Sequence, residues 1–135
     1  MLFRSFTSDH GHFLGQHGLI AKGAFHYEDL LRVPLLARYP GQVPAGIVSD
    51  GLQSIIDLPA TFLSTAGVEV PGFMQSQDQL TVWAGQQPSR EWVMVENRHN
   101  PTSVDLRTLI TDRYKITVYR DADYGELFDL QDDPQ

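Results

Sequence analysis

The chain has 135 residues, a formal net charge of −7, no cysteine, and 41% hydrophobic and 20% charged residues. That size suits one modest domain. The acidic balance argues against nucleic-acid binding, the lack of cysteine excludes disulfides and thiolate metal sites, and no apolar run approaches the ~20 residues of a membrane span. The stretch from Met1 to Phe6 is too short for a secretory signal, and Arg4 interrupts it.

Residues 2–7, LFRSFT, read as a short strand with an apolar start. Asp9 and His10 follow at its carboxyl end, where α/β sheets gather their ligands. A carboxylate oxygen beside an imidazole nitrogen suits a divalent cation, and this O/N pair admits Ca²⁺, Mn²⁺ or Zn²⁺. Residues 8–24 hold glycines at 11, 15, 18 and 23, which predicts a loop rather than a helix. Lys22 within it supplies a flexible point charge for an oxyanion. His12 shares a face with His10 if the backbone is extended. His17 reads as a residue that packs the loop.

Residues 26–31 predict one helical turn and residues 33–39 a strand, with Pro34 near its start where a missing N–H is tolerated. Residues 40–46 are a surface loop. The clearest helix runs from Asp57 to Ala66. Ser54 or Asp57 suits its cap, Pro59 its first turn and Gly67 its C′ position, with Ile56, Ala60, Phe62 and Leu63 as an apolar face. Residues 68–79 are loop-like. Strands are predicted at 92–96, 106–111, 114–119 and 124–130, with turn chemistry at Asp112-Arg113, giving an antiparallel meander. Arg98-His99-Asn100-Pro101 reads as a polar loop after the first of these strands, and Asp132-Asp133 as a solvated end.

The blocks Thr-Ser-Asp-His-Gly at 7–11, Leu-Gly-Gln-His-Gly at 14–18, Lys22, Tyr27-Glu28 and Arg32-Val-Pro-Leu resemble the sulfatase family of the alkaline phosphatase superfamily. The resemblance continues through Ser54–Thr61 and ends in Gly125-Glu-Leu-Phe-Asp-Leu130, so it covers nearly the whole chain as the C-terminal part of such an enzyme. Histidine as the second ligand is similar to iduronate-2-sulfatase, choline sulfatase and phosphonate monoester hydrolases. The implied fold is α/β: the end of an alkaline-phosphatase-like sandwich over residues 1–70, a linker over 71–90, and a small antiparallel subdomain over 91–135.

The implied function is hydrolysis of a small-molecule or saccharide sulfate ester. Asp9 and His10 would be metal ligands, with calcium the implied ion. Lys22 would be catalytic and would hold sulfate, with His12 at the pocket mouth. Arg98 and His99 would read the organic part of the ester, or else simply form a hairpin loop. The implied nucleophile is a formylglycine made from the cysteine of Cys-x-Pro-Ser-Arg, which attacks sulfur. It is expected upstream, in the other half of the same enzyme. Gln86-Gln-Pro-Ser-Arg90 copies only the ending of that motif, with glutamine in the nucleophile position and in the wrong order, and reads as a chance match. The isolated chain is therefore expected to be inactive. A phosphonate or phosphate monoester hydrolase is the enzymatic alternative. A non-catalytic domain that binds anions or a partner is the other.

Overall fold

A computed structural model describes residues 2–99 and 104–133, without the side chain of His99. Its contacts divide into two compact units, one formed by the residues up to Thr7 with Leu35–Arg90, the other by Ser8–Pro34 with the chain from Glu91 onward. No helix among the described residues is long and apolar enough to cross a membrane.

In the first unit, β1 (Arg4–Thr7) pairs antiparallel with β4 (Leu35–Arg38), in a register running from Arg4 opposite Arg38 to Thr7 opposite Leu35. The strand expected over residues 2–7 forms over Arg4–Thr7. Here Arg4, Ser5 and Phe6 are exposed, because β1 has a single strand partner among the described residues. Residues Ile55–Asp57 form a 3₁₀ turn that leads into α2 (Leu58–Thr65). Pro59 sits in the first turn, where its missing N–H costs nothing. Gly67, at φ 71°, ends the helix, with Gly67 N–H donating to Ser64 O at 3.0 Å and Val68 N–H to Leu63 O at 2.9 Å. This is the Schellman pairing that glycine allows.

The helix buries Leu58, Ala60 and Thr61, whereas Ile56 and Phe62 are 50% and 43% exposed. The expected apolar face is thus rotated, and neither Ser54 nor Asp57 caps the helix through its side chain. The cause is Asp57 itself. Its carboxylate is fully buried and receives both ends of the Arg90 guanidinium (Nε at 2.7 Å), the Gln77 N–H at 2.8 Å and the Gln79 amide at 3.3 Å. Residues 68–79 form the expected loop, and a single turn, α3 (Leu80–Trp83), follows it. The Trp83 ring stacks on Phe3 with centroids 6.2 Å apart.

In the second unit, β5 (Trp92–His99), β6 (Val104–Thr111), β7 (Tyr114–Tyr119) and β8 (Gly125–Asp129) form the expected antiparallel meander in sequence order. Asp112 and Arg113 make the turn between β6 and β7. Val93, Leu106, Thr108, Ile110, Lys115 and Thr117 lie on its buried face, with Thr108 opposite Thr117 and Ile110 opposite Lys115. The other face leaves Trp92, Met94, Leu109, Ile116, Val118 and Leu127 exposed. Within residues 8–34, read as a loop up to 24, the chain forms a two-residue ladder between β2 (Phe13–Leu14) and β3 (Ile20–Ala21). A single helical turn, α1 (Glu28–Leu31), comes after it, as expected.

Candidate functional site

Asp9 and His10 stand in the turn that opens the 8–34 segment, two and three residues after β1. The Ser8 hydroxyl bridges the turn, lying 2.8 Å from the His10 carbonyl and 3.3 Å from Asp9 Oδ1. The His10 N–H donates to Asp9 Oδ1 at 3.0 Å. That hydrogen bond, followed by the charge of the neighbouring imidazole, holds the Asp9 carboxyl below its ordinary range. The Asp9 side chain is 84% exposed, so it is ionised and open to a ligand.

The His10 ring is oriented from behind. Its Nδ1 lies 2.7 Å from the Gly11 carbonyl. A carbonyl only accepts, so Nδ1 carries a proton, and in the neutral form of the ring Nε2 presents the lone pair. That Nε2 is 3.6 Å from Asp9 Oδ2. Two ligand atoms, each about 2.0–2.6 Å from one ion and at roughly right angles, lie about 3–3.7 Å apart. The pair therefore fits a divalent cation in donor type, tautomer and bite. Among the described residues, no group of three or more His, Asp or Glu is placed to complete a shell.

The turn is held in place by α1. Gly11 N–H donates to Leu30 O at 2.7 Å, and His12 N–H to Asp29 O at 3.1 Å. A Cβ at position 11 would lie 1.8 Å from the Asp29 oxygen, so only glycine fits there. Phe13 follows, 1% exposed, and anchors the segment. Leu14 and Ile20 pair, as do Phe13 and Ala21. The ladder ends at the Phe13–Ala21 pair, so His12 lies just before β2 and Lys22 just after β3 in the chain. Lys22 and His12 are both exposed. The ladder needs left-handed backbone at Gly15, His17, Gly18 and Ala21. His17 stacks on Tyr27 with centroids 4.0 Å apart, and its Nε2 lies 3.9 Å from Asp29 Oδ2, so it packs this segment.

β5 runs through His99, so Arg98 and His99 belong to a strand rather than to a loop after it. The cause is pairing with β6, which holds Arg98 opposite Asp105 and His99 opposite Val104. The His99 side chain and residues 100–103, including Asn100 and Pro101, lie outside the described residues. Arg98 lines a cavity of about 320 Å³ with Arg107, Arg120 and Asp105. Arg107 is paired with Glu96 at 2.7 Å, and Arg120 with Asp105 at 3.4 Å. At the C-terminal end, Asp132 is exposed and lies 3.2 Å from Arg113.

Sequence reasoning missed a buried polar set on the inner face of the sheet. His26, 4% exposed, bonds through Nδ1 to Thr108 Oγ1 at 2.8 Å, and Thr108 bonds to Thr117 at 2.7 Å. Tyr27 and Tyr119 both donate to Glu126, at 2.9 and 2.6 Å. Lys115, 1% exposed, donates to Glu28 at 2.9 Å. The available signal was that Lys115, Thr117 and Tyr119 alternate along one strand, the period of a single sheet face.

The family model described as N-sulphoglucosamine sulphohydrolase, C-terminal, matches residues 15–135. The chain is similar to an N-acetylglucosamine-6-O-sulfatase from Bacteroides thetaiotaomicron, 35% identical over 96% of this chain and 25% of that protein. Its fold is similar to the structure of BT4656 in complex with its substrate D-glucosamine-2-N,6-O-disulfate, with a TM-score of 0.88 and 31% identity over 98% of this chain and 28% of the other. It is also similar to a phosphonate monoester hydrolase from Silicibacter pomeroyi, with a TM-score of 0.79 and 25% identity over 97% of this chain and 29% of that one. The chain thus spans about a quarter of the length of these proteins. On these grounds it belongs to the sulfatases of the alkaline phosphatase superfamily and corresponds to their C-terminal part.

Proposed function

We propose that this chain supplies cation-holding and sulfate-holding residues to the hydrolysis of a sulfate ester of a saccharide. The observation that carries the reading is the Asp9–His10 pair, with Oδ2 and Nε2 3.6 Å apart and Nδ1 turned onto the Gly11 carbonyl. Asp9 and His10 would hold a divalent cation, for which the family resemblance implies calcium. Bound there, such a cation would supply charge neutralisation to the sulfate oxygens. The Lys22 ammonium would hold a sulfate oxygen and stabilise the negative charge that grows on it as the ester bond breaks. His12, which directly precedes β2, would border the same opening. Arg98 and His99 would contact the saccharide, with Arg98 beside a cavity whose other arginines, Arg107 and Arg120, pair with Glu96 and Asp105.

The catalytic nucleophile would come from the part of the enzyme that this chain does not span. The chain has no cysteine, and its Pro88-Ser89-Arg90 follows glutamine. Arg90 is moreover engaged by the buried Asp57. We therefore expect no turnover of an aryl sulfate by the 135-residue chain alone, and turnover when it is joined to, or mixed with, an upstream sulfatase half. Turnover by the chain alone that Lys22→Ala abolishes would overturn this. The likeness to a phosphonate monoester hydrolase supports a second reading of the same residues. Parallel assays of the reconstituted enzyme on aryl sulfate and aryl phosphonate esters separate the two.

A further inference from the structure

We infer that Lys115 is a positioning residue for the Asp9–His10 pair, acting at a distance through Glu28 and the helical turn α1. The inference rests on the reading of Asp9–His10 as a cation-holding pair.

A buried lysine needs a reason, because its ammonium loses its water on burial. Lys115 is 1% exposed and lies on the inner face of β7. Its Nζ has one carboxylate partner, Glu28 Oε1 at 2.9 Å, and sits 4.5 Å from the centre of the Phe128 ring. Glu28 is the first residue of α1, which has four residues. A helix of one turn does not hold itself together in water. Its order must come from what grips it.

That grip comes from the sheet. His26, Tyr27 and Glu28 are consecutive, and each is tied to a different strand: His26 to Thr108 on β6, Tyr27 to Glu126 on β8, and Glu28 to Lys115 on β7. Only the third tie pairs two opposite charges, and only it reaches α1 itself. At its other end α1 offers the carbonyls of Asp29 and Leu30 to the N–H groups of His12 and Gly11. Gly11 also supplies the carbonyl that orients the His10 ring. The connection therefore runs from the Lys115 ammonium to Glu28, along one turn of helix, through two backbone hydrogen bonds, to the atom that fixes the His10 tautomer. An apolar residue at 115 could fill the space, but it could not set where α1 begins. Burying a charged pair trades stability for a defined position.

Two variants separate positioning from mere support of the fold. Lys115→Met leaves the Glu28 carboxylate partly buried without its cation, and is expected to be less stable. The double variant Lys115→Met with Glu28→Leu replaces the ion pair with apolar volume, and is expected to recover the parent Tm to within a few degrees. Amide hydrogen exchange and Mn²⁺-induced broadening of the Asp9 and His10 NMR signals are then measured on the 135-residue chain. In the double variant, the Gly11 and His12 amides should exchange at least about tenfold faster than in the parent, with Leu106 and Ile110 unchanged. Mn²⁺ should broaden Asp9 and His10 only at about tenfold or more higher concentration. Exchange at Gly11 and His12 equal to the parent in the double variant overturns the inference, whatever the metal does. A parent chain whose Asp9 and His10 signals ignore Mn²⁺ removes the cation reading instead, and the exchange rates still decide whether Lys115 holds the turn.

Discussion

Replacing Arg90 with methionine should be among the most damaging single changes in the first unit. Asp57 is 0% exposed and the Arg90 side chain 15%, with Nε 2.7 Å from Oδ2 and Nη2 on Oδ1. The hydrogen bond to Asp57 in turn pushes the Arg90 guanidinium above its ordinary value. Removing the guanidinium leaves a buried carboxylate with only the Gln77 N–H and the Gln79 amide as donors. Breaking a buried pair from one side costs about 3–5 kcal/mol. A chain of this length has a total stability of roughly 7–20 kcal/mol. At roughly 4 °C per kcal/mol, Tm should fall by about 10–20 °C. Scanning calorimetry of Arg90→Met reads this directly. Pairing it with Asp57→Leu should recover most of the loss, because no charge then stays buried. A Tm within about 2 °C of the parent for Arg90→Met alone would refute the reasoning, since the carboxylate would then not depend on Arg90.

Other changes bear on the candidate site and on pH. Gly11→Ala places a methyl group 1.8 Å from the Asp29 oxygen, so the turn must move. The two hydrogen bonds to α1 should be lost at roughly 1 kcal/mol each, seen as a lower Tm and faster exchange at His12. Burial, followed by the Lys115 charge, pushes His26 down to about 4 from an ordinary 6.5. The unfolded chain thus binds this proton first. The stability it reflects is intact above about pH 6.5 and lost as pH falls toward 4, at up to about 1.4 kcal/mol per pH unit. Urea melts of the parent and of His26→Gln across that window should show the slope in the parent and its loss in the variant. In a reconstituted enzyme, Asp9→Asn or His10→Ala should each lower metal occupancy by at least about tenfold, measured by elemental analysis after dialysis. The 135-residue chain alone should bind Ca²⁺ only weakly, because a calcium site takes about 6–8 oxygen ligands, and calorimetry that finds tight stoichiometric binding would contradict this.

How much of this could be read in the sequence depended on how far apart the partners lie. The strands of the meander and the turn at Asp112-Arg113 were legible, because hairpin signals are local. The helix from Leu58 was legible from Pro59 and Gly67, which mark its two ends through backbone geometry alone. Its buried face was not, because Arg90, which draws Asp57 inward, lies 33 positions away. The segment Tyr114–Tyr119 shows the same limit in reverse. Hydrophobicity alone would turn Tyr114, Ile116 and Val118 inward, yet the chain buries Lys115 and Thr117. Lys115 finds Glu28 87 positions away, and Thr117 bonds to Thr108, whose other partner, His26, lies 82 positions from it, so no local pattern announces them. Asp9 and His10 are adjacent, so their pairing and its chemistry could be proposed before any coordinates. The two-residue strands β2 and β3 are too short to show a period.

The pairing of β1 with β4 has a consequence for how this chain could be taken apart. Thr7 and Leu35 are cross-strand partners, so the chain departs for residues 8–34 and returns to the same spot. Partners in an antiparallel ladder have Cα atoms about 4.5–5.5 Å apart, a gap that a two-residue hairpin closes. Topologically, everything from Ser8 to Pro34 is a cassette spliced into a hairpin. Exchange with the corresponding cassette of a relative would need no change of path in either strand. The Asp9–His10 turn, Lys22 and α1 would travel together, and Thr108, Lys115 and Glu126, which grip residues 26–28 from outside the cassette, would have to match.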